Sequence, residues 1–141
     1  MRAVLQRVDG AHVEVEGEIV GAIEGEGLLV LLGVTHDDGP EQVATIARKV
    51  CELRILSGER SVSDLGAGVL VVSQFTLYAD VRKGRRPSWN AAAGREIAEP
   101  LVEQVVEAIR ERGVSASTGV FGAQMRVGLT GDGPVTILLE A

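Results

Sequence analysis

The 141-residue chain has one cysteine, Cys51, two histidines, His12 and His36, four aromatic residues and four prolines. A single thiol excludes an intrachain disulfide and is the cysteine usage expected in a reducing, cytoplasmic setting. No HxxxH or CxxC spacing occurs among these residues, so no metal site is expected, and no cofactor is expected for the chain. Positive charge is short as well: 14 Lys and Arg stand against 20 Asp and Glu, a net charge of −6. A protein that coats nucleic acid is basic overall, so general phosphate binding is disfavoured and no DNA partner is expected. No apolar run approaches the ~20 residues of a membrane span; the longest, Leu28 to Leu32, is strand-sized. The opening MRAVLQRVDG has no apolar stretch followed by a small-residue cleavage site, so no signal peptide and no membrane partner are read.

What is plentiful is glycine, 18 of 141 residues, about twice the usual ~7%. That abundance points to many tight turns, or to backbone approaching something closely. With 45% apolar and 24% charged residues the balance is globular. The length fits one domain over residues 1–141, with no composition break or internal repeat to divide it. Charge is unevenly spread: Arg82, Lys83, Arg85 and Arg86 put four of the fourteen basic residues within five positions.

Ala3 to Val15 alternates apolar and polar residues, Ile19 to Ile23 reads as a second strand, and Leu28 to Val34 as a continuous, central one. Gly17-Glu18 and Gly25 to Gly27 read as turns, giving an antiparallel meander. The period then changes. Val43, Ile46, Ala47, Val50 and Leu53 form a helical stripe behind the start signal Asp37-Asp38-Gly39-Pro40-Glu41. Arg54 to Leu56 reads as a short strand, Ser57 to Gly68 as a loop and Val69 to Leu77 as a strand. Asp80 to Asn90 is a basic loop. A second helix carries Ala98, Leu101, Val102, Val105 and Ile109 on one stripe and ends at Arg110, Arg112 and Gly113, with Pro100 early in it or kinking it. Val114 to Thr118, Met125 to Thr130 and Val135 to Leu139 read as further strands, the last two joined by Gly131-Asp132-Gly133-Pro134.

Familiar chemical motifs are missing. Gly66-Ala67-Gly68-Val69-Leu70-Val71 begins like a dinucleotide loop but lacks the third glycine and precedes a strand. There is no GxxxxGK[ST] and no GxSxG elbow. Neither histidine stands in a triad motif, and Cys51 on its helix suits packing better than nucleophilic attack. Two polar segments remain. Ser73-Gln74-Phe75-Thr76 closes an apolar strand, either as a strand running into solvent or as a rim whose backbone N–H groups face a ligand. Gly133-Pro134-Val135-Thr136 suits a hairpin turn.

Together these segments resemble the D-aminoacyl-tRNA deacylase family, in which an SQFTL-type segment lies mid-chain and a GPVT-type segment near the C-terminus. Here they are Ser73-Gln74-Phe75-Thr76-Leu77 and Gly133-Pro134-Val135-Thr136. The opening MRAVLQRV, the stretch Lys83-Gly84-Arg85-Arg86-Pro87-Ser88 and Phe121-Gly122-Ala123-Gln124-Met125 match as well. One departure is Gly131, where the family often has asparagine.

The resemblance implies an α+β fold: a mostly antiparallel sheet curled into a barrel-like core, with two helices packed against it, in a homodimer. It implies hydrolysis of D-aminoacyl-tRNA and of glycine misplaced on alanine tRNA. In the family the Gly-Pro peptide is cis and enters the partner's pocket. Ser73, Gln74, Phe75 and Thr76 are thus the candidate catalytic residues, and Gly133 and Pro134 the candidates for selecting chirality. Arg82, Lys83, Arg85 and Arg86 are candidates for tRNA contact. Backbone N–H groups near Phe75 and Thr76 are the oxyanion candidates. The Thr76 hydroxyl is favoured as a hydrogen-bonding group over a nucleophile, because no base adjoins it. The substrate's own 2′-hydroxyl is then expected to assist. The alternatives are a non-catalytic RNA-binding module, a generic small acyl-esterase, or an interaction protein whose glycine-rich loops serve dimer packing.

Overall fold

The computed structural model describes residues 1–141. The first strand, β1 (Arg2–Val15), alternates as its sequence requires and buries Ala3, Leu5, Val8, Ala11 and Val13. It pairs antiparallel with β2 (Glu18–Gly33), which runs unbroken through Gly25 to Gly27 where a turn was expected. The reason is a bulge: the register slips between Asp9 and Ala11, so the extra residues are absorbed without reversing the chain. Ala3 and Leu5 join one buried cluster and Val8, Ala11 and Val13 another, the slip keeping the last three on one face.

α1 (Pro40–Glu52) starts as predicted. Pro40 occupies its first turn, and the Gly39 N–H donates to Gln42 Oε1 at 2.9 Å. Its stripe Val43, Ile46, Ala47, Val50 and Cys51 is buried. Arg54 to Leu56 forms no strand, only an isolated bridge between Leu56 and Arg60. The expected loop that follows holds a one-turn helix, α2 (Val62–Leu65), capped by Ser61: its side chain accepts from the Asp64 N–H, and its own N–H donates to Asp64.

β3 (Gly68–Ser73) lies parallel to β2, because the chain has crossed over through α1 and α2. It stops at Ser73. Phe75–Tyr78 is a 3-10 turn rather than the strand continuation expected to Leu77. α3 (Arg95–Glu111) then buries Ala98, Leu101, Val105, Val106 and Ile109, with Pro100 inside its second turn. β4 (Ala116–Thr118) pairs parallel with β3. Arg110 holds that corner by donating to the Ala116 carbonyl at 2.9 and 3.2 Å.

The last strand, β5 (Arg126–Glu140), is one strand where two were expected. Both of its halves pair antiparallel with β1: Gly131 stands opposite Val8 and Thr136 opposite Gln6. Residues 132–135 therefore bulge out opposite Arg7 instead of turning back.

The result is an α+β architecture built on a five-stranded mixed sheet ordered β4-β3-β2-β1-β5. The expected three-strand meander is corrected because β2 runs unbroken; two shorter parallel pairings beside the long antiparallel ones make the sheet mixed, and three helices replace the expected two. The ladder is open, with β4 and β5 as its edges. α1 and α3 cover one face, over a 25-residue core that includes Leu5, Val30, Leu32, Val71, Ile46 and Ile109. A second cluster of seven, including Val8, Val13 and Leu70, lies apart from it. Both are filled almost wholly by aliphatic side chains, each worth about 1.5–3 kcal/mol when fully buried. No helix is long and apolar enough to cross a membrane.

Candidate active site

The chain leaves β3 through Gln74. Its N–H still donates to the Leu32 carbonyl at 2.8 Å, as a further rung of the sheet, and the chain then tightens into the 3-10 turn. Leu77 N–H closes back onto Gln74 O at 3.2 Å and Ala79 N–H onto Thr76 O at 3.0 Å. A 3-10 turn leaves its first N–H groups without acceptors inside the turn. Gly33 permits the close packing beneath: a Cβ there would stand 2.9 Å from Gln74 O and 3.0 Å from Leu77 Cβ. Arg2 secures the far end, donating to the Leu77 carbonyl at 3.0 Å with its guanidinium 4.5 Å from the Tyr78 ring centre. Burial, foremost, and then the nearby Asp38 carboxylate push the Tyr78 phenol up to about 12, so it stays neutral.

This junction borders a cavity of about 540 Å³. Ser73, Gln74 and Phe75 line one side; Ala98 and Val102 of α3 and the loop from Phe121 to Met125 line others. No charged side chain lines it; its polar side chains are Ser73, Gln74 and Gln124. Thr76 is not in the lining but stands directly behind it, where its hydroxyl accepts a hydrogen bond from Gln74 Nε2. Three of the four candidate residues thus meet at the cavity and the fourth supports them. The role of the 121–125 loop in the lining was missed. That stretch was visible as a matching segment, but it contains no titratable group to suggest a role.

Gly133 and Pro134 do not line this cavity within the chain. They sit exposed on the β5 bulge, joined by a cis peptide. Gly133 has φ +118°, a conformation L side chains rarely adopt, and a Cβ would lie 2.9 Å from Arg7 Nη2. Arg7 holds the bulge by donating from Nε to Asp132 O at 3.1 Å, and its Nε lies 3.4 Å from the Asp132 carboxylate. Gly131 takes the place often held by asparagine and still pairs with Val8.

The basic residues occupy a loop closed at its root by paired backbone bonds between Asp80 and Ser88, 2.8 and 2.9 Å. Arg82 folds back onto Asp80 while staying exposed to solvent, with nitrogens 2.6 and 2.9 Å from its two oxygens. Those bonds hold the Asp80 carboxyl down at about 2. Lys83, Arg85 and Arg86 are exposed and form no ion pair. Next to the root, Trp89 meets Phe75 edge-on, ring centres 5.3 Å apart at 74°.

The remaining reactive groups lie elsewhere. His12 is exposed on β1, and His36 Nε2 is 2.7 Å from the Asn90 carbonyl. Cys51 is buried in α1, and that burial pushes its thiol up. No group of three or more His, Cys, Asp or Glu residues assembles to hold a metal.

Residues 4–140 match the family model described as D-Tyr-tRNA(Tyr) deacylase. The chain is 67% identical over 141 residues to the D-aminoacyl-tRNA deacylase of Kineococcus radiotolerans, covering all of both chains. It is 64% identical over 140 residues to that of Streptomyces coelicolor, covering 99% of each. Among solved structures, a c-Myc DNA Unwinding Element Binding Protein superposes with a TM-score of 0.91 at 39% identity, covering 100% of this chain and 99% of that one. With its sequence matched from end to end and its Ser73–Thr76 junction standing at a cavity, the chain belongs to the D-Tyr-tRNA(Tyr) deacylase family.

Proposed function

We propose that the chain, as one deacylase unit over residues 1–141, hydrolyses the ester between a D-amino acid and the terminal adenosine of tRNA. Its family membership makes it a D-aminoacyl-tRNA deacylase, a carboxylic ester hydrolase. The observation that carries the mechanism is the cavity itself, which offers polar backbone and amide groups but no ionisable side chain. With no acid or base on its wall, the proton transfers fall to water and to the substrate's vicinal 2′-hydroxyl. Water attacks the ester carbonyl, and the oxyanion rests on the N–H groups of Phe75 and Thr76. Collapse expels the ribose 3′-oxygen, which takes up the proton relayed by the 2′-hydroxyl. Gln74, braced by Thr76, orients the ribose.

Chirality is read at the α-carbon. The exposed bulge carrying Gly133 and Pro134 enters the cavity of a second copy of the chain. There its main-chain carbonyls receive the ammonium group and fill the volume an L side chain would need. Glycine has no such side chain, so glycine misplaced on alanine tRNA is also a substrate. An isologous homodimer follows, since each site borrows the other's bulge. In support, the bulge is exposed on β5 and the neighbouring Leu138 side is 77% solvent-exposed in the single chain. The barrel-like form belongs to this reading, with the β1 bulges that bend the sheet in its favour. Lys83, Arg85 and Arg86 meet tRNA phosphates, with Arg82 held back by Asp80. The setting is the cytoplasm, and no cofactor, membrane or DNA takes part.

The test is ester loss from D-tyrosyl-, L-tyrosyl- and glycyl-tRNA. Turnover of the D and glycyl esters but not the L ester is the expected result. Equal turnover of D and L would indicate a generic esterase, and binding without turnover an RNA-binding module. Duplex DNA should not compete. A D-ester on a 3′-terminal 2′-deoxyadenosine should bind yet react at least tenfold more slowly, a loss of ~1.4 kcal/mol at the transition state.

A further inference from the structure

Phe75 and Trp89 are 55% and 41% exposed in a protein with only four aromatic residues. Phe75 belongs to the cavity wall, whereas Trp89 lies outside it. Their rings meet edge-to-face, and both keep solvent-exposed surface next to the cavity wall that Phe75 forms. The Trp89 backbone is held on both sides. Before it, Ser88 is bonded to Asp80. After it, Asn90 O meets His36 Nε2 at 2.7 Å and Ala91 O accepts from Thr35 Oγ1 at 2.6 Å. The ring is therefore carried by a fixed segment, with three unpaired cations on the adjoining loop.

Aromatic faces beside free cations, on an otherwise acidic surface, make a surface suited to unpaired nucleotides: bases stack and phosphates pair. A duplex offers no free base faces, and an acidic peptide offers none at all. We infer that Trp89 is a positioning residue that stacks on an unpaired base adjacent to the esterified adenosine of the RNA 3′ end. This rests on the deacylase reading, because that reading puts the adenosine in the cavity lined by Phe75. The phosphate between the two nucleotides then lies toward Lys83, Arg85 and Arg86. Trp89 acts on substrate capture and touches no reacting atom, so its loss should raise KM and leave kcat nearly unchanged.

Trp89 is the only tryptophan in the chain, so its emission reports on the site directly. Full-length protein is titrated with single-stranded ACCA RNA and with an uncharged acceptor-stem minihelix ending in it. Hydrolysis is measured on D-tyrosyl-minihelix and on D-tyrosyl-adenosine, which lacks the neighbouring base. Expected are saturable quenching of Trp89 by both RNAs and, for Trp89→Leu, a roughly tenfold loss of kcat/KM on the minihelix, carried by KM. That variant should match the wild type on D-tyrosyl-adenosine, and Trp89→Phe should recover most of the loss. Unchanged emission at saturating minihelix overturns the inference. So does an equal loss on both substrates, which would mark Trp89 as merely supporting Phe75. A wild-type protein inert toward both esters would remove the deacylase reading, and this inference with it.

Discussion

The Gln74–Thr76 pair shows how much one hydroxyl is asked to do. Thr76 Oγ1 already accepts from Gln74 Nε2 and has no base beside it, so its work is to hold the amide. Losing one such hydrogen bond costs about 1 kcal/mol. Thr76→Ala should thus retain about a fifth of wild-type turnover, whereas loss of a covalent nucleophile would cost several orders of magnitude. Single-turnover kinetics with a search for an acyl-Thr76 adduct separates the two. Cys51 makes the opposite point. Desolvation raises its thiol, and α1 seals it from solvent. Native protein should resist a thiol-specific reagent at pH 8 over hours and react within minutes in denaturant. Rapid native labelling would show that α1 opens locally.

Among the elements, the 80–88 loop is governed by its root. Asp80 is depressed to about 2, first by its side-chain bonds to Arg82. A lowered carboxyl favours the tied form above the ordinary pKa near 4, and the tie is lost as pH falls through about 2. Between pH 5 and 8 the loop therefore presents three free cations, not four. If each meets one phosphate of a single strand, log K should fall against log salt with a slope of about −2 from these residues. Replacing Lys83, Arg85 and Arg86 by alanine should flatten the slope by that amount. Asp80→Asn, by releasing Arg82, should steepen it by about 0.7. Equilibrium binding of uncharged tRNA across a salt series measures both.

Both long helices were legible from their stripes, and one edge of the cavity, Ser73 to Phe75, from the segment that closes β3. The two misread turns share one cause. Gly25 and the Gly131–Pro134 segment look like turns locally, but they are bulges, because the register is set by the partner strand β1. Likewise the apolar run Val69–Val72 cannot say that its neighbours run parallel, nor that the strand stops at Ser73 where Gln74 turns aside. The cavity was least visible, since its lining from Phe121 to Met125 owes its place to α3 and β5, not to local pattern.

At the scale of the molecule, a site shared between copies can be tested by mixing. Gly133→Ala disables the bulge through its φ of +118° and its approach to Arg7, at about 1–2 kcal/mol or more. Gln74→Ala disables the cavity. Each variant alone should be nearly inactive. After joint unfolding and refolding in equal amounts, half the dimers are mixed and each of those holds one intact site. Activity should return to about a quarter of wild type. No recovery, with mixed dimers verified by mass spectrometry, would place both motifs in one subunit's site.

The pairing of β5 with β1 joins residues as far as 138 positions apart. Closing so long a loop adds little to the equilibrium cost, because the entropy grows only with the logarithm of length. Its effect falls on timing. The parallel unit of β2, α1, β3, α3 and β4 is complete in sequence before β5 begins, so that unit can assemble before β5 docks. Until β5 docks, the long strand β1 has one edge unpaired, and such an edge can pair with another copy of the chain. The period of greatest aggregation risk for this protein is therefore the interval before β5 docks, and it ends with the strand that carries Gly133 and Pro134.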